Sequence, residues 1–473
     1  MLTIQNLPVE LLTKIFRSSW LESDFSVTLN SVRGLVTQTK EISGTCSTWR
    51  AIVCSDPVFW SSFDLDLSCM TSVEQAILLN LFLSRSGTAA GLRLNIIYAS
   101  PKYPNSSELE GAQLAVLDLL LDQSSRWRDV RLDIAPEVFA HVVSRLTLRP
   151  KPTYGYFPNL EFLDTQDQES TADDYEEPGS NDSLFHIFHR CPALKRLCAH
   201  DAWAGDPIDY SHLTSLDLIS YRGKSLSSLL SRCPHLRQFS IAYCIIPDIG
   251  HEEIGPWSEI NPFYHLNLVS LSLPIYHQFG CEIWEDVRFP SLHTLKIDQV
   301  ERSGNEIPEL LAMLRKSGCS LRTLELGDIS SNVFEKLLSN APHLQSLTLM
   351  PHYTTSNLHI HPMKFKPLFG KDFRVPAPML SSLTLQFRNA SFTTIVKMAM
   401  HVRDLVISRR KNPETTYVII KVELINRGQT EIIATVASFY KVIVSVSIVS
   451  SWDCFTLELD LGKEDKRRDT IRD

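Results

Sequence analysis

Residue types that could do chemistry are sparse in this sequence. His186, His189 and Cys191 cluster in HIFHRC, and imidazole plus thiolate at close spacing is a metal-ligand set. The competing explanation is structural: the three lie at a helix end, and Cys191 fills a small-residue slot before a proline that recurs along the chain. His359 and His361 alternate in LHIHP, which a strand or a loop explains equally well. Arg409, Arg410 and Lys411 form a basic cluster too short for a nucleic-acid footprint. The G-x-S-x-G elbow, the G-x-x-x-x-G-K-[ST] loop and the H-E-x-x-H helix are all absent. No catalytic residue, metal ligand or cofactor is assigned, and a non-catalytic protein is expected.

Composition narrows the class further. The chain has 473 residues, 44% of them apolar and 21% charged, which excludes a mainly disordered protein. Its 46 basic and 54 acidic residues leave a net charge of -8, against the basic face a nucleic-acid binder needs. With 18 glycines against 25 prolines, phosphate-cradling loops are not expected. No apolar run approaches the length of a membrane span, and Val442–Val449, the longest candidate, is short and carries two serines. The opening MLTIQNLPVELL lacks a basic region and a cleavage site of the secretory kind. Ten cysteines run from Cys46 to Cys454 without a C-x-x-C pair and are read as reduced. A cytoplasmic and/or nuclear location is the expectation.

The elements begin with LPVELLTKIF at 7–16. Leu7, Leu11, Leu12, Ile15 and Phe16 fall at helical spacing, Pro8 suits a first turn, and Glu10 faces the positive end of the dipole. In 42–60, ISGTCSTWRAIVCSDPVFW, a second helix carries Ile42, Cys46, Trp49 and Val53 on one face and stops at Asp56-Pro57. Phe59 and Trp60 follow. So small a segment cannot bury two helices and two tryptophans alone, so a partner must cover the surplus: the rest of the chain or another protein.

These two segments resemble an F-box, L-P-x-E-[IL]-[LI]-x-x-I-F followed by C-x-x-W-[RK]-x-[IL]-x-x-x-P-x-[LF]-W. The likeness covers about 60 of the 473 residues. The stretch between, WLESDFSVTLNSVRGLVTQTKE, is longer than in the compact form of the motif. ILLNLFLSRSGTAAGLRLNIIY (77–98) and VLDLLLDQSSRWRDVRLDI (116–134) also resemble blocks that follow the F-box in a large fungal group of such proteins. The resemblance implies docking onto the Skp-type adaptor of a cullin-RING (SCF) ubiquitin ligase. Leu7, Pro8, Leu11, Leu12, Ile15 and Phe16 would enter the adaptor's groove, while Cys46, Trp49, Arg50, Ile52 and Trp60 would brace the second helix. A helical hairpin packed on its own chain is the competing reading.

From 157 a leucine phrase recurs: FPNLEFLD, CPALKRLC, CPHLRQFSI, FPSLHTLKI, APHLQSLTL and APMLSSLTL, with proline-free variants between them. The leading leucine or its equivalent falls at 160, 194, 213, 236, 268, 292, 321, 344, 380 and 402, five of whose nine gaps lie within the ~20–29 residues of leucine-rich repeats. L-x-x-L-x-L alternates as a half-buried strand should, and SLSSLLSRCP, IPELLAMLRKSGC, SNVFEKLLSNAP and FTTIVKMAMHV read as intervening helices. A repeated strand and helix predicts a right-handed solenoid, irregular because the usual asparagine after the strand is mostly missing. An ordinary α/β domain with leucine-rich strands is the alternative.

The expected architecture is therefore α/β. A small all-α F-box occupies 1–62 and a connecting region 63–150; an irregular leucine-rich-repeat solenoid occupies 151–411, a β-rich cap with a turn at Asn426-Arg427-Gly428 occupies 412–462, and 463–473 is a charged tail. QDQESTADDYEEPGSND (166–182) reads as a solvated insertion or a contact for a basic partner. Lys195, Arg237, His293, Arg322 and Gln345, one residue after a leading leucine, are the candidate substrate-binding positions, although solvation alone also explains their polarity. The functional expectation is a substrate adaptor of an SCF ligase binding a Skp-type protein and a protein substrate, with no nucleic acid or membrane partner. A scaffold acting outside the ligase, and an enzyme with a diffuse active site, are the alternatives.

Overall fold

The structure, a computed structural model, describes residues 4, 7–22, 27–30, 34–70, 72–98, 111–149, 155–165, 185–203, 207–222, 225–245, 262–276, 284, 286–300, 307–328, 331–350, 382–388, 419–425, 444–449 and 454–459. The chain forms two compact units, Met1–Ile219 with Arg232–His235, and Ser220–Ser231 with Leu236–Asp473.

The first unit opens with α1 (Val9–Glu22), the strands β1 (Val27–Asn30) and β2 (Gly34–Thr37), then α2 (Gln38–Thr45) and α3 (Ser47–Ser55). Next come β3 (Ser62–Asp66), α4 (Val73–Arg85), β4 (Leu92–Tyr98), α5 (Gly111–Asp122), β5 (Trp127–Ile134), α6 (Pro136–Thr147), β6 (Phe162–Thr165), the single turn α7 (Phe185–Phe188), β7 (Arg196–Trp203) and β8 (Ser215–Arg222), whose last three residues are counted with the second unit. From β3 to β7 the strands pair parallel in chain order. The register stacks Phe63, Leu94, Val130, Leu163 and Leu197 in one buried row. Leu117, Leu120 and Leu121 of α5 and Val142 of α6 pack with Ile96, Leu132 and Ile134 of the strands. Trp127, Phe157 and Phe188 continue that core as neighbouring rings with centroids 5.0 and 4.8 Å apart.

The second unit contains α8 (Leu226–Ser231), β9 (Gln238–Ile245), β10 (Phe263–Tyr264), β11 (Ser270–Tyr276), β12 (Val287–Arg288), β13 (Thr294–Val300), α9 (Pro308–Ser317), β14 (Thr323–Asp328), α10 (Ser331–Ser339), β15 (Ser346–Leu349), β16 (Ser382–Arg388), β17 (Ile419–Ile425), β18 (Val444–Val449) and β19 (Cys454–Leu459). β9, β11, β13, β14, β15, β16 and β17 pair parallel in that order. β19 then pairs antiparallel with both β17 and β18. Phe239, Leu271, Leu295, Leu324 and Leu347 form the buried row here. The leading leucines at 160, 194, 213, 236, 268, 292, 321 and 344 are all buried, and each strand of a phrase begins two residues later.

The expected fold needs correcting. A small all-α domain followed by a right-handed solenoid is not what the chain builds; it builds large parallel β-sheets flanked by helices. The segment expected to be all-helical contributes strands, because β1 pairs antiparallel with β2 and parallel with β3, Val27 standing opposite both Thr37 and Phe63. Parallel pairing is established at β3, β4 and β5, well before the first leucine phrase. The crossovers are also unlike one another: α9 and α10 follow their strands, whereas β7 leads to β8 through a short 3-10 turn at Tyr210–His212. The second helix of the opening segment is likewise two helices, interrupted where Cys46 takes an extended conformation, φ -159° and ψ 169°.

No helix among the described residues is long and apolar enough to cross a membrane. The acidic run 166–182, His359 and His361, the helix at 392–402, the phrase at 402–407, Arg409 to Lys411, the turn at 426–428 and the tail lie outside the described residues.

Candidate functional site

Helix α1 divides its apolar stripe between two environments. Successive residues turn by ~100°, so Leu11 and Ile15 sit beside Leu12 and Phe16 on the next strip of the cylinder. Leu12 and Phe16 are interior, at 1% and 5% exposure. Leu11 and Ile15 face solvent at 46% and 45%. Leu7 is half-buried, and Pro8 is exposed. The sequence treats these six as one docking set; the structure assigns two of them to the chain's own core.

What holds Phe16 is the second half of the motif. Its ring meets Trp49 edge-on, centroids 4.8 Å apart. Arg17 Nε donates to Asp56 Oδ2 at 2.7 Å, tying α1 to the end of α3, and this bond raises the Arg17 pKa. Asp56 Oδ1 accepts the Val58 N–H and starts the 3-10 turn Pro57–Trp60. Ile52 and Trp60 are buried, with Trp60 Nε1 donating to the Val53 carbonyl at 2.9 Å. Trp60 also stacks on Phe82 of α4, and Arg85 lies 4.7 Å above its ring. Arg50 is exposed and donates through Nε to the Ser43 carbonyl, and Cys46 is half-buried. Trp49 is half-buried, and its Nε1 has no hydrogen-bond partner among the described residues. The bracing set therefore locks α1, α3 and α4 together and leaves Leu11 and Ile15 presented.

The five candidate substrate positions share one structural place. Each follows a leading leucine, and its backbone carbonyl reaches the start of the next strand. The carbonyl of Lys195 accepts the N–H groups of both Thr214 and Ser215; that of Arg237 accepts Val269 and Ser270; that of His293 accepts Arg322 and Thr323; that of Arg322 accepts Gln345 and Ser346. The Gln345 carbonyl accepts Ser382. This fork turns each side chain outward: Lys195, Arg237, Arg322 and Gln345 are exposed and His293 is half-buried. Four of the five thus stand in one row in the second unit, and Lys195 stands in the first.

Beside that row lies a feature sequence reasoning missed. Gln238, Ser270, Thr294, Thr323, Ser346 and Ser382 are opposite one another across consecutive strands, one amide followed by a line of five hydroxyls on the polar face. The signal is legible in retrospect as the third residue of LVSL, LHTL, LRTL, LQSL and LSSL. In the first unit the same face is charged. Asp129 lies 3.8 Å from Arg93 and 3.7 Å from Arg196, and Arg196 covers the Phe162 ring at 4.4 Å.

Three cysteines are held as thiols by their surroundings. Burial pushes the thiols of Cys191 and Cys233 up to about 12. Cys198 is also pushed up to about 12, by burial first and then by Asp164 and Asp217. Among the described residues no cluster of three or more metal-ligating side chains occurs. No protein-family model matches the chain, and no curated protein matches it.

Proposed function

We propose that this chain is the substrate-recognition subunit of an SCF-type (cullin-RING) ubiquitin ligase, its F-box-like N-terminal segment docking a Skp-type adaptor and its leucine-phrase strands binding a protein substrate. One observation carries the reading: on the helix with the L-P-x-E-L-L-x-x-I-F pattern, Leu11 and Ile15 remain in water while Leu12 and Phe16 are anchored. An apolar helix face held rigidly in solvent is what a helix-in-groove contact needs. In such a complex the chain performs no covalent step. It holds a substrate lysine near the loaded conjugating enzyme, raising the effective concentration of one for the other. Cytoplasmic and/or nuclear residence belongs to the same proposal.

Affinity capture of the full chain with a Skp-type adaptor tests it. The wild type should retain the adaptor, and Leu11→Ala with Ile15→Ala should release it while the melting temperature stays put. Undiminished capture by the double variant ends the docking assignment. The alternative is a scaffold that binds the adaptor and delivers nothing to ubiquitin. Depletion in cells separates the two, because only a substrate adaptor leaves an accumulating cargo.

A further inference from the structure

The fork row differs in charge between the two units. In the first unit Glu161 stands between Arg128 and Lys195, at 3.3 and 3.9 Å, so both cations of that row have an acid beside them. In the second unit the row reads Arg237, Val269, His293, Arg322, Gln345, with no acid in it. Neither Arg237 nor Arg322 forms an ion pair among the described residues, and both side chains are exposed. Further along these strands the charges are paired: Lys296 lies 3.3 Å from Asp298 on its own strand, and Glu325 is opposite Lys296 in the register. The uncompensated cations therefore occupy one edge, alongside the hydroxyls of Ser270, Thr294, Thr323 and Ser346.

We infer that this edge of the second unit binds an extended acidic segment of a protein partner, its carboxylates or phosphates meeting Arg237 and Arg322. The inference rests on the proposed adaptor role and specifies the substrate class. Guanidinium forks hold carboxylate and phosphate through paired, charge-assisted hydrogen bonds, and hydroxyls supply the neutral donors beside them. The spacing fits a peptide crossing the strands. Arg237 and Arg322 precede strands three steps apart, about 14 Å at ~4.8 Å per step, which about four extended residues cover. His293 and Gln345 lie between and beyond them as further hydrogen-bonding groups.

Fluorescence anisotropy of the full chain with labelled short peptides tests this. Three probes share one serine-rich background: one carries two glutamates about four residues apart, one carries phosphoserines there, and one is left neutral. The acidic probes should bind at least about tenfold more tightly than the neutral probe, and less tightly as salt rises. Arg237→Glu with Arg322→Glu should abolish that preference, Arg237→Gln with Arg322→Gln should weaken it, and Lys316→Ser, which removes an exposed cation at the end of α9, should leave it intact. Matching thermal melts separate lost binding from lost folding. Equal affinity for all three probes, no binding to any, or an unchanged preference in the charge-reversed variant would overturn the inference. Adaptor capture is read on the same samples: a chain that holds the adaptor and ignores acidic peptides sinks only this inference. One that binds the peptides and no adaptor sinks only the ligase reading.

Discussion

Adjacent leucines on α1 give opposite expectations. Leu12 is interior, so Leu12→Ala should cost about 2–5 kcal/mol and lower the denaturation midpoint with or without a partner. Leu11 is half in water, so Leu11→Ala should change stability by less than about 0.5 kcal/mol and show itself only in partner capture. Denaturant titration of the two variants checks this, and equal losses would mean that the interior and presented residues have been confused. The helical periodicity was legible in the sequence; which strip of it faced inward was not. That choice is made by Trp49 and Asp56, whose approach to Phe16 and Arg17 is a tertiary matter.

Asp64 gives a second expectation at this scale. It is half-buried on β3, where burial first and the charge of Asp66 next raise its carboxyl pKa, against the opposing bond from Asn95 Nδ2 at 2.8 Å. The folded chain thus holds this proton more tightly than the unfolded chain. The charged form costs stability, a cost absent below the unfolded-state pKa and complete above the folded one. Asp64→Asn keeps the shape and an acceptor for Asn95, so it should raise the melting temperature at neutral pH and lose that advantage in the acid range. Melts at both pH values decide it; an equal shift at each, or a drop at neutral pH, contradicts the assignment.

Strands and helices were legible wherever a phrase fixed both the buried leucine and the outward polar residue. LSSLLS, PELLAMLRKS and SNVFEKLLS form α8, α9 and α10, and the strands begin two residues after their leading leucines. Hidden from sequence was where one strand would approach another's backbone. Gly327 on β14 is such a place: a Cβ there would collide with the Asp298 carbonyl of β13. Gly155, at φ +83°, meets the Arg190 carbonyl in the same way. Gly327→Ala should therefore destabilise the chain by about 1–3 kcal/mol, measured as a shift in urea midpoint at constant slope. An unchanged midpoint would show that β13 and β14 can part without cost.

For the molecule as a whole, the leucine spacing suggested repeating units, yet the fold did not follow. The spacing says where strands fall; it does not say how the chain before residue 157 pairs, and VTLN and GLVT within a helical motif gave no warning of β1 and β2. If the adaptor covers Leu11 and Ile15, co-expression should raise the soluble yield of the full chain, because exposed apolar side chains promote association. Size-exclusion profiles with and without the adaptor measure this, and an equally monodisperse chain alone would count against it. The carbonyls of Lys195, Arg237, His293 and Arg322 each grip two successive amides at the start of the following strand. A one-residue insertion inside a leucine phrase would thus misalign that clamp and flip the polar face inward, whereas the same insertion in a connecting segment would be absorbed. Natural variation in chains of this build should accordingly concentrate in linker length, with the phrase itself kept free of gaps.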